Sequence, residues 1–295
     1  MNFIYMAYDF VIQLPFPCPM LPAAPDGSVP DVTVVEGSVP KQLNCPVMKE
    51  DNWQIEPGRF LLRGGLKSGR FLVEDGQQIT LECNPLAEPP RMAVHFMASV
   101  FPVLLQQRGL LVLHANTAMT PHGAIAVSGE SGAGKTTTVA GMLDKGCTLL
   151  ADDITVLRMS ADNEVEVVPG PPQLHLCEDT AAMFGYDISG LPRYPWRRMK
   201  AAVPVHDIMA SSPAPLKAIY VIKIGSSEGL RVTALFGRDK FSALQECLYG
   251  PLIPVEQSKM FLMHGAVLDT VEVTCIERPR NGWSMDDVVE AILHG

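Results

Sequence analysis

The chain has 295 residues, with 32 acidic against 23 basic side chains and a net charge of −9 at pH 7. That balance leaves no electrostatic footprint for nucleic acid or an anionic membrane surface, so any phosphate group must be held by a local device. The length allows a large buried core, in one big domain or in a small module joined to a larger one.

The cysteines at 18, 45, 83, 147, 177, 247 and 275 are scattered, odd in number and free of any Cys-x-x-Cys pair. Neither a disulfide framework nor a zinc ribbon is expected, and the chain reads as a cytoplasmic protein with reduced thiols. The opening MNFIYMAYDFVIQLPFP has no basic start and is interrupted by Asp9, unlike a signal peptide. No apolar run reaches the ~18 residues of a membrane span, so no membrane partner is expected.

In chain order, residues 1–89 form a β-rich region. FVIQL, DVTVVEG, GRFLLRG and RFLVEDGQQITLEC are short β-branched runs between Pro, Gly and Asp, predicting an antiparallel layer with a hairpin turn at Glu74–Gly76. From residue 90 the texture changes. RMAVHFMASVFPVLLQQRG has helical spacing, a Gly109 stop and a kink or split expected at Pro102. GLLVLHANTAM and HGAIAVSG read as strands, TTTVAGMLDKG as a helix ended by Gly146, and CTLLADDITVLRM as a strand broken at Asp152 and Asp153.

Residues 168–204 look proline-rich and irregular. AIYVIKI and RVTALF then read as strands, KFSALQECLYG and QSKMFLMHGAVL as helices and VEVTCIER as a strand. SMDDVVEAILHG reads as a final helix, with Ser284 and Asp287 at capping-box spacing. Strands alternating with helices over 90–295 indicate an α/β catalytic domain.

Between AIAVS and TTVAGMLDKG lies Gly129-Glu130-Ser131-Gly132-Ala133-Gly134-Lys135-Thr136. It satisfies GxxxxGK[ST] in the strand-loop-helix setting that motif requires. Glycines let the backbone wrap so that its N–H groups, on through Thr137, converge on phosphate oxygens at the positive end of the following helix. Lys135 is expected to neutralise the β- and γ-phosphates and Thr136 to ligate Mg²⁺, so ATP or another NTP with Mg²⁺ is the implied cofactor pair. Downstream, the strand LLA ends in Asp152-Asp153. Adjacent carboxylates repel unless a cation or proton relieves them, and a nucleotide's Mg²⁺ would do so. One can hold the metal while its neighbour accepts a hydroxyl proton; the residues alone leave open which does which.

LHANTAMTPHGAIAVSGESGAGKTTTVAGMLDKGCTLLADDITVL resembles the catalytic core of the HPr serine kinase/phosphorylase family, over about residues 108–160. The resemblance implies a P-loop core like that of phosphoenolpyruvate carboxykinase and phosphoryl transfer to a serine-type hydroxyl. It aligns His114 with the family's histidine near the phosphates, and favours Asp152 as base and Asp153, with Thr136, as metal ligand. The family's Glu-Ile-Arg-Gly signature is absent, the corresponding region reading VVPGPPQLHLCED. The opening YMAYDFVIQLPFPCPMLP resembles instead a shorter branch associated with ribosomally made, modified peptides. Its lasso-peptide members phosphorylate a precursor serine, typically the C-terminal one.

The implied function is thus an ATP-dependent kinase acting on the C-terminal serine of a lasso-peptide precursor. The alternatives are an HPr-like protein kinase and a non-catalytic nucleotide sensor or scaffold, with homo-oligomers open to each. His114 suits a proton shuttle or phosphate contact, or a hydrogen-bonded core position. Arg193, Arg197, Arg198 and Lys200 form the densest basic cluster, on a loop suited to phosphate or a peptide carboxylate, or simply solvated. His122 reads as a turn residue. His175, Cys177 and Glu178 lack a second ligand pair and read as no metal site.

Overall fold

The computed structural model describes residues 2–191, 193–194, 200–225, 228–251, 253, 257–282 and 285–294. Arg197, Arg198 and Ser284, three residues singled out from the sequence, lie outside these. The fold is mixed α/β with several sheets. The chain divides into two compact units, residues 1–112 with 249–263, and residues 113–248 with 264–295. The helical stretch after residue 89 buries its aromatic face within the first unit.

In the first unit, β1 (Phe3–Ala7), β2 (Phe10–Leu14), β3 (Val32–Glu36), β4 (Met48–Lys49), β5 (Trp53–Glu56), β6 (Arg59–Arg63), β7 (Arg70–Glu74) and β8 (Gln78–Glu82) form one sheet. Its order is β1-β2-β3-β8-β7-β6-β5-β4. The expected hairpin joins β7 to β8, with Asp75 and Gly76 both at positive φ. The layer is not wholly antiparallel, since β3 runs parallel to both β2 and β8. The Pro-rich stretch from Pro15 to Asp31 is long enough for the crossover that parallel pairing needs.

The helical stretch comprises α1 (Pro89–His95), a π-helical turn at Phe96–Val100 and α2 (Phe101–Gln107). Pro102 explains the wide turn. It has no N–H for the carbonyl of Ala98, and the Tyr249 hydroxyl donates to that carbonyl instead, at 2.9 Å. Phe96 packs edge-on against Phe16, and Phe101 against Phe10 and Tyr8. Each such burial stabilises the unit by roughly 1.5–3 kcal/mol. A short strand, β9 (Leu111–Leu113), follows.

The second unit holds β10 (Ala115–Thr120), β11 (Gly123–Gly129), α3 (Lys135–Asp144), β12 (Thr148–Ala151), β13 (Thr155–Met159) and β14 (Val165–Val168). After these come β15 (Gln173–Leu176), α4 (Glu178–Met183), β16 (Arg193–Tyr194), β17 (Lys200–Pro204), β18 (Ala214–Gly225) and β19 (Arg231–Ala234). α5 (Gly237–Glu246), β20 (Glu272–Pro279) and α7 (Met285–Leu293) follow, while α6 (Gln257–Thr270) has residues 257–263 in the first unit and 264–270 in the second.

β12, β10, β11, β18, β20 and β19 lie side by side in that order, with β11, β18 and β20 parallel. β14, itself paired with β13, joins at the first residues of β18. Val139, Met142 and Leu143 of α3 and Val288, Val289 and Ile292 of α7 bury against Val127, Leu149, Ile222 and Ile276 of the sheet.

Residues 168–204, which read as irregular, contain a small antiparallel sheet of order β15-β17-β16. The strands are short enough for proline punctuation to hide them, yet Leu174, Leu176 and Val203 reach the same core. Among the described residues no helix is long and apolar enough to cross a membrane.

Candidate active site

β11 leads into the glycine-rich loop because its last residue lies against the neighbouring backbone. A Cβ on Gly129, at φ 142°, would stand 2.3 Å from the carbonyl oxygen of Ile222. The loop closes at Gly134, whose φ of 112° caps α3 from the left-handed region that glycine enters without strain. The N-terminus of α3, with roughly half a positive charge, thus opens into a cavity of about 440 Å³. Lys135 is buried, and its ammonium bonds the carbonyls of Gly129 at 2.8 Å and Glu130 at 3.3 Å. Burial pulls its pKa below the ordinary lysine value, while the Asp153 carboxylate acts the other way.

The loop is braced from behind by Arg278, at the end of β20. Its side chain is 5% exposed, and it donates from Nε to the Ala133 carbonyl at 2.8 Å and from a terminal nitrogen to that of Gly132 at 3.4 Å. Sequence reasoning missed Arg278. The available signal was its place in the same alternation as core residue Ile276, where a charge is unexpected.

Asp152 and Asp153 are not two alternating strand residues. They form the bend between β12 and β13, and Asp153 has a left-handed φ of 63°. The bend separates their environments. Asp153 lines the cavity, as do Lys135, Thr136, Thr137, His114 and Lys200. Asp152 lies beneath, its side chain 2% exposed. Its Oδ1 accepts a bond from Asn116 Nδ2, and its Oδ2 accepts two at 2.7 Å, from the His175 backbone N–H and from His175 Nδ1. Asp152, Asp153 and His175 bring ligand atoms within 4.8 Å of one another.

His175, set aside on sequence grounds, therefore belongs to the site. Its flanking Leu174 and Leu176 face the core, and strand alternation turns the imidazole the other way. Its partner is Asp152 rather than Cys177 or Glu178. Asn116, also missed, sits fully buried on β10, with Nδ2 3.5 Å from the Thr136 hydroxyl and Oδ1 without a hydrogen-bond partner among the described residues.

Lys200, the first residue of β17, carries its ammonium to 3.3 Å from the Thr136 hydroxyl and 3.7 Å from Asp153 Oδ1. A cation thus stands between a hydroxyl and a carboxylate, the hard oxygen donors Mg²⁺ favours. His114 donates from Nδ1 to the Asp153 carbonyl at 3.1 Å. Burial, and then the nearby Lys135 ammonium, push its pKa below the ordinary imidazole value. Thr137 is hydrogen-bonded to Thr180, and Thr180 in turn to Cys177, along one wall of the cavity. Of the residues singled out from the sequence, the loop from Gly129 to Thr137, His114, Asp152, Asp153 and Lys200 converge here.

No family model and no curated protein matches the chain. Among solved structures, the Hpr(Ser) kinase/phosphatase from Coxiella burnetii superposes with a TM-score of 0.33 and 12% identity, over 62% of this chain and 88% of that one. A likeness of that degree fixes neither activity nor substrate.

Proposed function

We propose that the second unit is a P-loop kinase core, of the type found in phosphoenolpyruvate carboxykinase, that transfers the terminal phosphoryl group of ATP to a hydroxyl. One observation carries this reading. A loop built to hold phosphates opens on the same cavity as a carboxylate, a second cation and an Asp-His pair, more than nucleotide binding alone requires. The loop amides and the start of α3 hold the phosphate chain, and Lys135 neutralises its β/γ end. Thr136 and Asp153 are the residues that would hold Mg²⁺, which when bound neutralises charge on the β- and γ-phosphates. Lys200, now between those two groups, is placed to turn onto a phosphate oxygen.

In the transfer, the bond from the terminal phosphorus to the β-phosphate oxygen breaks, a bond to the acceptor oxygen forms, and ADP leaves. The acceptor's proton goes to the Asp152-His175 pair. Asp152 already accepts three donors, so its part is to hold and polarise the imidazole that lines the cavity. That shifts the expected division of labour: Asp152 serves through His175 rather than alone. The resemblance of the opening residues to the peptide-modifying branch makes the C-terminal serine of a lasso-peptide precursor the acceptor to test first.

The test is incubation with Mg·ATP and peptides ending in Ser, or with HPr, read by mass spectrometry beside a nucleotide-binding titration. Phosphopeptide formation, lost in Lys135→Met, is expected. Tight Mg·ATP binding with no transfer to any hydroxyl acceptor would refute catalysis and leave a nucleotide sensor.

A further inference from the structure

A second cavity, of about 610 Å³, lies on the other side of the loop's first residues. That volume falls inside the range of roughly 300–1,000 Å³ usual for ligand sites. Its floor is formed by the carboxyl ends of parallel strands β11 and β18, from Ser128 and Gly129 across to Val221–Ile224. In open α/β sheets that crevice is the usual place for ligands. The two cavities share His114 and Ser131.

Which end of a phosphate chain faces the second cavity follows from Lys135. In such loops the lysine meets the β- and γ-phosphates. Here its ammonium is bonded to the carbonyls of Gly129 and Glu130, both of which line the second cavity. Thr137, Thr180 and Cys177 line the first cavity and not the second. The terminal phosphate therefore abuts the second cavity, and whatever occupies it meets the phosphoryl group being transferred.

The charges in the second cavity narrow the occupant's chemistry. Lys223 and Glu246 neutralise each other at 2.9 Å, and Glu130 adds a carboxylate on the loop side. Arg280 is exposed and makes no ion pair or side-chain hydrogen bond among the described residues, which leaves a guanidinium suited to a carboxylate. The Cys247 thiol, pushed up to about 11 chiefly by burial, stays protonated and adds no charge.

We propose that this second cavity seats the acceptor, a peptide segment whose hydroxyl reaches past Ser131 and His114 to the phosphate end and whose carboxylate pairs with Arg280. This rests on the phosphoryl-transfer reading above and adds to it a side of approach and an anchoring charge.

The probe is a randomised octapeptide library ending in Ser, prepared once as free acids and once as C-terminal amides, offered with Mg·ATP to wild type and to Arg280→Gln. Arg280 holds no partner among the described residues, so the variant is expected to fold and to bind Mg·ATP with unchanged affinity. Wild type should phosphorylate the free acids at least about tenfold more efficiently than the amides, the effect entering through KM. Arg280→Gln should abolish that preference. If internal acidic side chains supply the carboxylate instead, the library members selected by wild type will be rich in Asp or Glu, and Arg280→Gln will erase that enrichment. A preference that survives Arg280→Gln, or equal use of acids, amides and acidic sequences by wild type, overturns the proposal while leaving the kinase reading standing. Failure of both proteins to bind Mg·ATP overturns the kinase reading and this one with it.

Discussion

Replacing Asp152 by Asn should weaken the protein moderately, whereas replacing it by Leu should weaken it severely. The carboxylate is 2% exposed and accepts from Asn116 Nδ2, the His175 N–H and His175 Nδ1. Hydrogen bonds to a charged acceptor are worth about 1.5–3 kcal/mol each and neutral ones about 1 kcal/mol, so an amide weakens three bonds by about 1 kcal/mol apiece.

Two effects offset that loss. The buried charge disappears with its desolvation cost. Asn116 can also turn its amide over, presenting its partnerless Oδ1 to the new NH₂ group. The net loss for Asp152→Asn is then about 1–2 kcal/mol. Leucine accepts nothing and strands three buried donors at about 1–3 kcal/mol each, giving a loss of more than about 3 kcal/mol. Urea unfolding by linear extrapolation measures both. Phosphoryl transfer by Asp152→Asn should fall about 10²–10⁴-fold, the range for a lost proton acceptor, with nucleotide affinity little changed. A Leu variant as stable as wild type would refute the network, and an Asn variant with normal turnover would refute the role of the Asp152-His175 pair.

Other perturbations probe the loop and its surroundings. Gly129→Ala forces a Cβ to 2.3 Å from the Ile222 carbonyl at a φ that L-residues rarely adopt; a loss of roughly 2 kcal/mol or more and weakened nucleotide binding should appear in thermal melts and titrations. Arg278→Met keeps the length of the side chain but removes the donors to Ala133 and Gly132, so about 2 kcal/mol of stability and most of the nucleotide affinity should go. His114 is held below its ordinary pKa of 6.5. The unfolded chain therefore binds a proton that the folded one excludes, and this contribution to stability is lost as pH falls through about 6.5. His114→Gln should flatten that part of the urea-stability profile, and an unchanged slope would contradict the assignment.

The loop from Gly129 to Thr136 was legible because its chemistry is local: spacing, a preceding strand and a following helix suffice. Asp152-Asp153 was legible as a pair but not in its internal arrangement, since strand alternation foresees opposed side chains whereas a left-handed bend at Asp153 separates them. His175 and Asn116 were hidden for a different reason. Each is a single polar residue in an apolar strand, and what makes it part of the site is a partner 23 or 36 residues away in the chain. Arg278 is farther still, reaching the loop across 145 residues. The N-terminal strands were visible from β-branched runs, but the parallel placement of β3 depends on a crossover that no local pattern encodes.

The first unit's claim on residues 249–263 bears on how the protein is made. A ribosome releases residues 1–112 long before the fifteen-residue piece that supplies Tyr249, the donor to the Ala98 carbonyl. Until then the wide turn ahead of Pro102 lacks that donor, and an early fragment ending near residue 112 should be prone to misassembly or to capture by chaperones. The second unit likewise waits for α7, whose Val288, Val289 and Ile292 complete a core begun by strands made much earlier. Expression trials that cut the gene after residue 89 or 112 would divide the first unit, parting its opening strands from residues 249–263.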